Sequence, residues 1–590
     1  MNKTKLSRFG QIHDYRGTVD KCWNFAYNFA MERGSRILLL LLVSQQILGA
    51  INPDGIFHDP GDIFYVNPQS GDIRLKAERG NIESAYVIIG TESVMMNIAY
   101  QDTDFDYYAV QLNTFETTLS YRFFLTHGSD SLMLPPEGAF RPASPPLMIP
   151  NWAAGKVYYS ICVDGFYNGD TLNDPPDVNE WGAKPNEWLP YGGDLKGLVQ
   201  RIEYIQSLGA DIILLSPLFT ATSNHKLNPR DYGNIDPAYG DTNDLKNVID
   251  AIHNIGKKVI LSTVLTHTGN DFPAFTDIVT KGDASRYIDW YRIQSLPSDP
   301  TGFKYRSWRS DMRFPMFNLR NRQLQSYLIG FVDYWAHFGC DGFYIGETEI
   351  DEGFAGRLYA QVKAKYPNSL IISSDYHSRN PHIADGHYRR EFSQVMIDYF
   401  VNSTITTAEF DSIIHHMLFF NPAQINRSNI IGAVSYSKRI REIADNELLE
   451  LIYAFLLTFC GSPLMQYGDE VGMTECAPLN WGSFPWSPTR QDRQLLGKLR
   501  SLIRIRREND ELQSSNFFTL YVDDVSKVYA YDRGGIIVVL NCSSAQSFVE
   551  LPAWDGTYSE LPSGSKLTAY SQTLKLSIEP MSYRILKREI

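Results

Sequence analysis

Between residues 152 and 508, short apolar runs of strand type alternate with longer segments whose apolar positions recur every three to four residues. KVYYSICV precedes LKGLVQRIEYIQSLG, DIILLSPLF precedes NDLKNVIDAIHNIG, KVILSTVL precedes RQLQSYLIGFVDYWAHFG, and GFYIGE precedes FAGRLYAQVKAKYP. SLIISSD, QVMIDYF, NIIGAVSY and PLMQYGDE supply four more strands, the last two followed by the helical ELLELIYAFLLTFCG and RQLLGKLRSLIRIRREN. Eight strands alternating with helices predict an α/β architecture, a TIM-type (β/α)8 barrel. A short insertion, residues 267–318, interrupts the rhythm after the third strand.

The flanks read differently. Residues 51–148 carry short β runs broken by turns (IFYV, IRLKA, SAYVIIG, VMMNIAY, YYAVQL, LSYRFFLTH), which predict an N-terminal β-sandwich of carbohydrate-binding type. The proline-rich RPASPPLMIP closes it as a linker. Residues 510–590 return to short strands (FFTLYV, KVYAYDR, GIIVVLN, LKLSIE, SYRILKR) and predict a C-terminal β-sandwich. Residues 1–50 form an extension with an apolar segment. Read from Met31, MERGSRILLLLLVSQQILGA has the order of a signal peptide, which would send the protein to the periplasm or outside. Read from Met1, the same segment is a buried helix and the protein is cytoplasmic. The apolar run is too short and too polar to assign as a membrane span, and periodicity separates neither reading.

Composition narrows the partners. Lys and Arg number 54 against 67 Asp and Glu, a net charge of −13, which argues against nucleic acid. The 35 Tyr, 32 Phe and 10 Trp suit sugar stacking, although core packing accounts for most of them. Six scattered cysteines with no CxxC pair indicate neither a disulfide framework nor a zinc site.

Several long motifs stand in one order: VYYSICVDGFYNGD, YGGDLKGLVQRIEYIQSLG, SNHKLNPRDYGNIDPAYGDTNDLKNVIDAIHNIGKKVIL and GSPLMQYGDEVGM. Together they resemble the α-amylases, glycoside hydrolase family 13, in the neopullulanase and cyclomaltodextrinase branch, over residues 51–590. The resemblance implies cleavage of α-1,4-glucosidic bonds with retention, by a nucleophile and an acid/base about 5–5.5 Å apart at the C-terminal ends of barrel strands.

Matched motif by motif, those groups are replaced. Against D-x-V-F-N-H stands STVLTH, with Ser262 at the acid, Thr266 at the asparagine and His267 retained. Against G-F-R-L-D stands GFYIG, with Tyr344 at the arginine and Gly346 at the nucleophile. Against G-E-V-W-H stands SSDYH, with Ser374 at the acid/base and His377 retained; against S-H-D-T stands AVSY, with Val434 and Ser435 at the histidine and the third acid. Leu227 replaces a stacking tyrosine, while His225, Asp231 and Tyr232 match as cleft remnants. Serine and glycine serve neither as glycosyl nucleophile nor as proton donor at neutral pH. The expectation is a family member without hydrolase activity, which binds α-glucan or maltooligosaccharide weakly or acts through a protein partner or homodimer. The alternative is an active retaining α-1,4-glucan hydrolase that uses the displaced acids Glu347, Glu349 and Asp375.

The branch also has a calcium loop, N-x-D-x-x-N-D with a later G-x-D. Asn168, Asp170, Asn173, Asp174, Gly192 and Asp194 match it, so the resemblance implies a structural Ca2+ ion. Read without the resemblance, NGDTLND is a polar turn.

Overall fold

The computed structural model describes residues 50–112, 118–143, 146–185, 189–346, 350–374, 382–433, 438–474 and 482–589. The expectations for residues 1–49 and for Glu347, Glu349, Asp375, His377, Val434 and Ser435 lie outside that set. Among the described residues no helix is long and apolar enough to cross a membrane. The chain divides into two compact units, residues 1–145 and 146–590.

In the first unit, antiparallel strands follow from strict alternation. Asp72–Glu78 buries Ile73, Leu75 and Ala77 and turns Arg74 and Lys76 the other way, as a pleat of period two requires. It pairs with Phe105–Gln111, while Ser84–Ile89 pairs with Glu92–Gln101 and Tyr121–His127. Val66, Val87, Phe123 and Leu125 complete the core between them.

The second unit holds the barrel. Its parallel strands are Tyr158–Ile161, Ile212–Leu215, Lys258–Val264, Gly342–Gly346, Leu370–Ser373, Gly386–His387, Ile430–Gly432 and Ser462–Gln466. They pair in sequence, the eighth beside the first, and a parallel bridge between Tyr388 and Ile430 closes the ring. The helix Thr242–Asn254 shows why these segments coil. Leu245, Val248, Ile249 and Ile252 fall on one buried face, and Asp241 caps the first turn in a reciprocal box with Asp244. Arg322–Phe338 ends at Gly339, whose φ of 119° lies in the left-handed region that glycine adopts without strain.

One expected strand is overturned. QVMIDYF is helical: Arg390–Met396 continues into a π-turn, Ile397–Val401, and buries Phe392, Met396, Tyr399 and Phe400 on one face. The sixth strand is instead Gly386–His387, where a Cβ on residue 386 would stand 2.6 Å from the Ser428 carbonyl oxygen. Glycine therefore admits the neighbouring backbone.

At the N-terminal end of the strands, Lys363 and Asp385 form an ion pair of 2.7 Å, with side chains 1% and 0% exposed. Lys363 also donates to the carbonyls of Ser369 and Met148, and Asp385 accepts from Tyr359 and the Ile371 N–H. Residues 518–588 form a six-stranded antiparallel sheet and a two-stranded one, Ser547–Pro552 with Thr573–Ile578. Tyr529 and Tyr531 of this region enter the barrel's own core.

Candidate active site at the barrel mouth

Strand register decides which residues meet at the C-terminal mouth. On the third strand Val259 and Leu261 pack outward under the helices, whereas Ile260 joins the inner cluster with Tyr158, Leu214, Ile372 and Leu464. Alternation therefore turns Ser262 inward. Ser262 pairs with Tyr344 and Val264 with Gly346, and Tyr344 pairs with Ile372 of the fifth strand. The same phase gives Tyr344, Gly346 and Ser374 one inner face. The Tyr344 ring packs on the inner cluster and occupies the space beside Gly346, where an added Cβ would stand 3.3 Å from Cε1. Ser374 donates its N–H to the Ile345 carbonyl, and its buried Oγ has no hydrogen-bond partner.

The retained histidines are neutral. Burial pushes His267 down to about 3 and His225 down to about 4. His267 Nε2 lies 2.9 Å from the Leu227 carbonyl, which only accepts, so Nε2 carries the proton and Nδ1 accepts from Thr266. Its ring stacks on Trp308 at 4.8 Å. His225 Nδ1 accepts the Leu227 N–H. Leu227 packs against Trp308, Phe314 and Met316. Tyr232 is fully buried and donates to the Val264 carbonyl at 2.6 Å, so it holds the loop and does not line a cleft. Asp231 is spent on its own turn, accepting from Gly233 and Asn234.

The carboxyls that sequence reasoning passed over lie beyond the first and eighth strands. Asp164 follows the first strand; burial pushes it up to about 7, and its Oδ1 accepts the N–H groups of Tyr191 and Gly192. Asp469 is bound by Arg439 and Tyr453, and Glu470 by Tyr159 and Tyr204. VDGF and YGDE displayed all three, but only the fold shows that each is committed to local structure.

The six residues expected to hold calcium lie on two neighbouring segments. Asp194 caps the helix Leu195–Gln200 and accepts the N–H groups of Gly169 and Asp170, tying the two segments. Asn168 donates to Asp174, and Lys196 pairs with Asp170. The side-chain oxygens of Asn168 and Asn173 are buried without hydrogen bonds. Gly192, at φ 79°, brings its Cα face against Asp174, where a Cβ would stand 2.4 Å from Oδ1. Orphaned amide oxygens beside carboxylates fit a hard cation. No three His, Cys, Asp or Glu among the described residues converge on a metal position, so amide and backbone oxygens would have to carry much of such a site.

Residues 160–431 match the α-amylase catalytic domain, and residues 52–148 the α-amylase N-terminal Ig-like domain. A cyclomaltodextrinase from Thermoanaerobacter pseudethanolicus is 30% identical over 85% of this chain and 95% of its own length. Neopullulanase 2 from Thermoactinomyces vulgaris is 28% identical over 90% of this chain and 99% of its own. A solved cyclomaltodextrinase superposes with a TM-score of 0.81 at 25% identity, over 91% of this chain and all of that one. On barrel, flanking domains and sequence alike, the chain belongs to the α-amylase family, glycoside hydrolase family 13, in its cyclomaltodextrinase and neopullulanase-like branch.

Proposed function

We propose that this member of the family holds α-glucan without cleaving it. The observation that carries the reading is the inner face of the third, fourth and fifth strand ends, where Ser262, Gly346 and Ser374 stand and the Tyr344 ring takes up the space beside residue 346. Retaining hydrolysis needs two carboxyl groups facing one glycosidic bond, and these positions offer none. The names of the relatives point to cyclic and linear α-glucans as the ligand class. Trp308, the tryptophan beside His267, is buried and its ring is already covered by His267 and the Arg309 guanidinium, so affinity is low. Calorimetry with maltoheptaose is expected to give a Kd of about 1 mM, with the sugar recovered intact. Micromolar binding or cleaved sugar would contradict this reading.

The same proposal includes a structural calcium ion on the loop that follows the first strand. Asn168, Asn173 and Asp174 would hold it through side-chain oxygens, with Asp170, Gly192 and Asp194 completing the set. A bound ion would supply charge neutralisation. Burial, reinforced by Asp170, already raises Asp174 and Asp194 above the usual carboxylate range. An ion bound to the folded form alone adds about 2.7 kcal/mol at a hundredfold excess over its Kd. Chelation is therefore expected to lower the melting temperature, calcium to restore it, and Asn173→Leu to remove the response. A melting curve indifferent to chelator would show the loop to be only a turn.

A further inference from the structure

On the flank of the barrel, at the strand end opposite the mouth, the helices Ile202–Leu208 and Arg493–Glu508 leave a groove of about 420 Å³ between them. One wall is Gln206 to Gly209, which leads into the second strand; the other carries Arg500, Arg504 and Arg507. Spacings of four and three place those arginines on one helix face. Gly209, at φ 91°, lets the walls close: a Cβ there would stand 3.1 Å from Ile503 Cγ2 and 4.0 Å from Arg507 Nη1. Arg500 is held across the groove, donating from Nη2 to Ser207 Oγ at 2.8 Å, while Ser207 donates onward to the Tyr204 carbonyl. Arg507 pairs with Asp211 at 3.1 Å. Neither Arg500 nor Arg504 has an ion-pair partner among the described residues, and no carboxylate lines the groove. Three guanidinium groups against the one carboxylate of Asp211 leave an excess of two positive charges, in a chain whose net charge is −13. The C-terminal dipole of Ile202–Leu208, about half a charge, offsets only part of that excess.

We propose that this groove binds a phosphate monoester group carried by a small soluble molecule. Such a group carries about −1.5 to −2 charges near neutral pH, which matches the local excess, whereas a carboxylate neutralises only half of it. Its three oxygens suit convergent guanidinium forks, which hold phosphate through paired N–H groups. Arg500 supplies a donor already oriented by Ser207, Ser501 adds a hydroxyl, and the more exposed Arg504 and Arg507 close on the anion. Leu208 and Ile503, the apolar residues of the walls, are buried, so no apolar rim offers itself to a bilayer. The inference stands apart from the barrel-mouth reading, because none of Ser262, Tyr344, Gly346 or Ser374 lines this groove.

Calorimetry of the full chain with inorganic phosphate, then phenyl phosphate, in calcium-free buffer of constant ionic strength tests it. The wild type is expected to bind both, and acetate at least about tenfold more weakly. Arg504 is exposed and unpaired, so its variants are expected to fold. Arg504→Gln is expected to weaken phosphate binding about tenfold, and Arg504→Glu to abolish it. Ser501→Glu, which puts a carboxylate on the same wall, decides the matter should either fail to fold. Lys575→Gln, exposed on the C-terminal sheet, is expected to change nothing. No heat with phosphate in the wild type would overturn the proposal and leave the arginines as complements of the helix ends. So would equal affinity for acetate, or unchanged phosphate affinity in folded Arg504→Glu. Co-sedimentation with phosphatidic acid vesicles that is lost in Arg504→Glu would overturn the soluble source. Maltoheptaose affinity is expected to be equal in Arg504→Glu and the wild type, so failure here leaves the barrel-mouth reading untouched.

Discussion

Installing carboxylates at the two adjacent strand ends, Gly346→Asp with Ser374→Glu, and replacing the ring beside residue 346 by the family's arginine, Tyr344→Arg, is expected to create hydrolysis of maltoheptaose at least about a hundredfold above the wild type. The register supports the placement. Ile345 pairs with Ser373, and the Ser374 N–H reaches the Ile345 carbonyl, so positions 346 and 374 lie side by side on adjacent parallel strands. Adjacent strands stand about 4.8 Å apart. That is close to the roughly 5–5.5 Å a retaining carboxyl pair requires. Gly346→Asp alone is expected to stay at the wild-type level, because its Cβ meets the Tyr344 ring and no proton donor faces it. Reducing-end release from the folded variants checks both statements. Activity in the single variant, or silence in the folded triple variant, would mean that the geometry of the mouth has been misread.

The second large effect concerns stability. Lys363→Met leaves the Asp385 carboxyl buried without its counter-charge, and breaking such a pair costs about 3–5 kcal/mol. The loss has a pH signature. Burial raises Asp385 to about 6 even against the opposing pull of Lys363, and burial lowers Lys363 in turn. A carboxyl with a folded pKa above its unfolded one takes up protons on folding, so its contribution to stability falls as pH rises through that interval. Without Lys363 the folded pKa climbs further. The deficit of Lys363→Met relative to the wild type is therefore smallest near about pH 5, where the cost of the lost bonds to the Ser369 and Met148 carbonyls remains, and grows toward about pH 8, by up to about 1.4 kcal/mol per unit. Chemical denaturation at the two pH values measures it. A pH-independent deficit would show that packing, not charge, holds Lys363 in place.

The barrel was legible because its longer elements repeat a simple pattern. Ile260 inward and Leu261 outward, or Leu245, Val248, Ile249 and Ile252 along one helix face, are visible as spacing alone. The sixth strand was not. Two residues, Gly386 and His387, carry no periodicity, while the apolar QVMIDYF nearby fits strand or helix equally until its neighbours decide. The C-terminal strand Ser547–Pro552 alternates buried and exposed, but serine, glutamate and proline dilute the signal. At the site, the inward phase of Ser262, Tyr344, Gly346 and Ser374 follows from strand alternation once the motifs are matched. The groove between Ser207 and Arg500 was hidden, because its two walls lie 293 residues apart in the sequence. The commitment of Asp469 to Arg439 and Tyr453 was likewise a matter of long-range contact.

On the function proposed above, Ser262, Gly346 and Ser374 leave the mouth of this barrel without an acid pair. The direct measurement is product release from β-cyclodextrin and maltoheptaose by the purified full chain at high concentration, alongside Glu347→Gln, Glu349→Gln and Asp375→Asn. No release above the uncatalysed background is expected in any of the four proteins, since loss of such a pair removes several orders of magnitude in rate. Glucosidic turnover by the wild type that disappears in one of the three variants would contradict it.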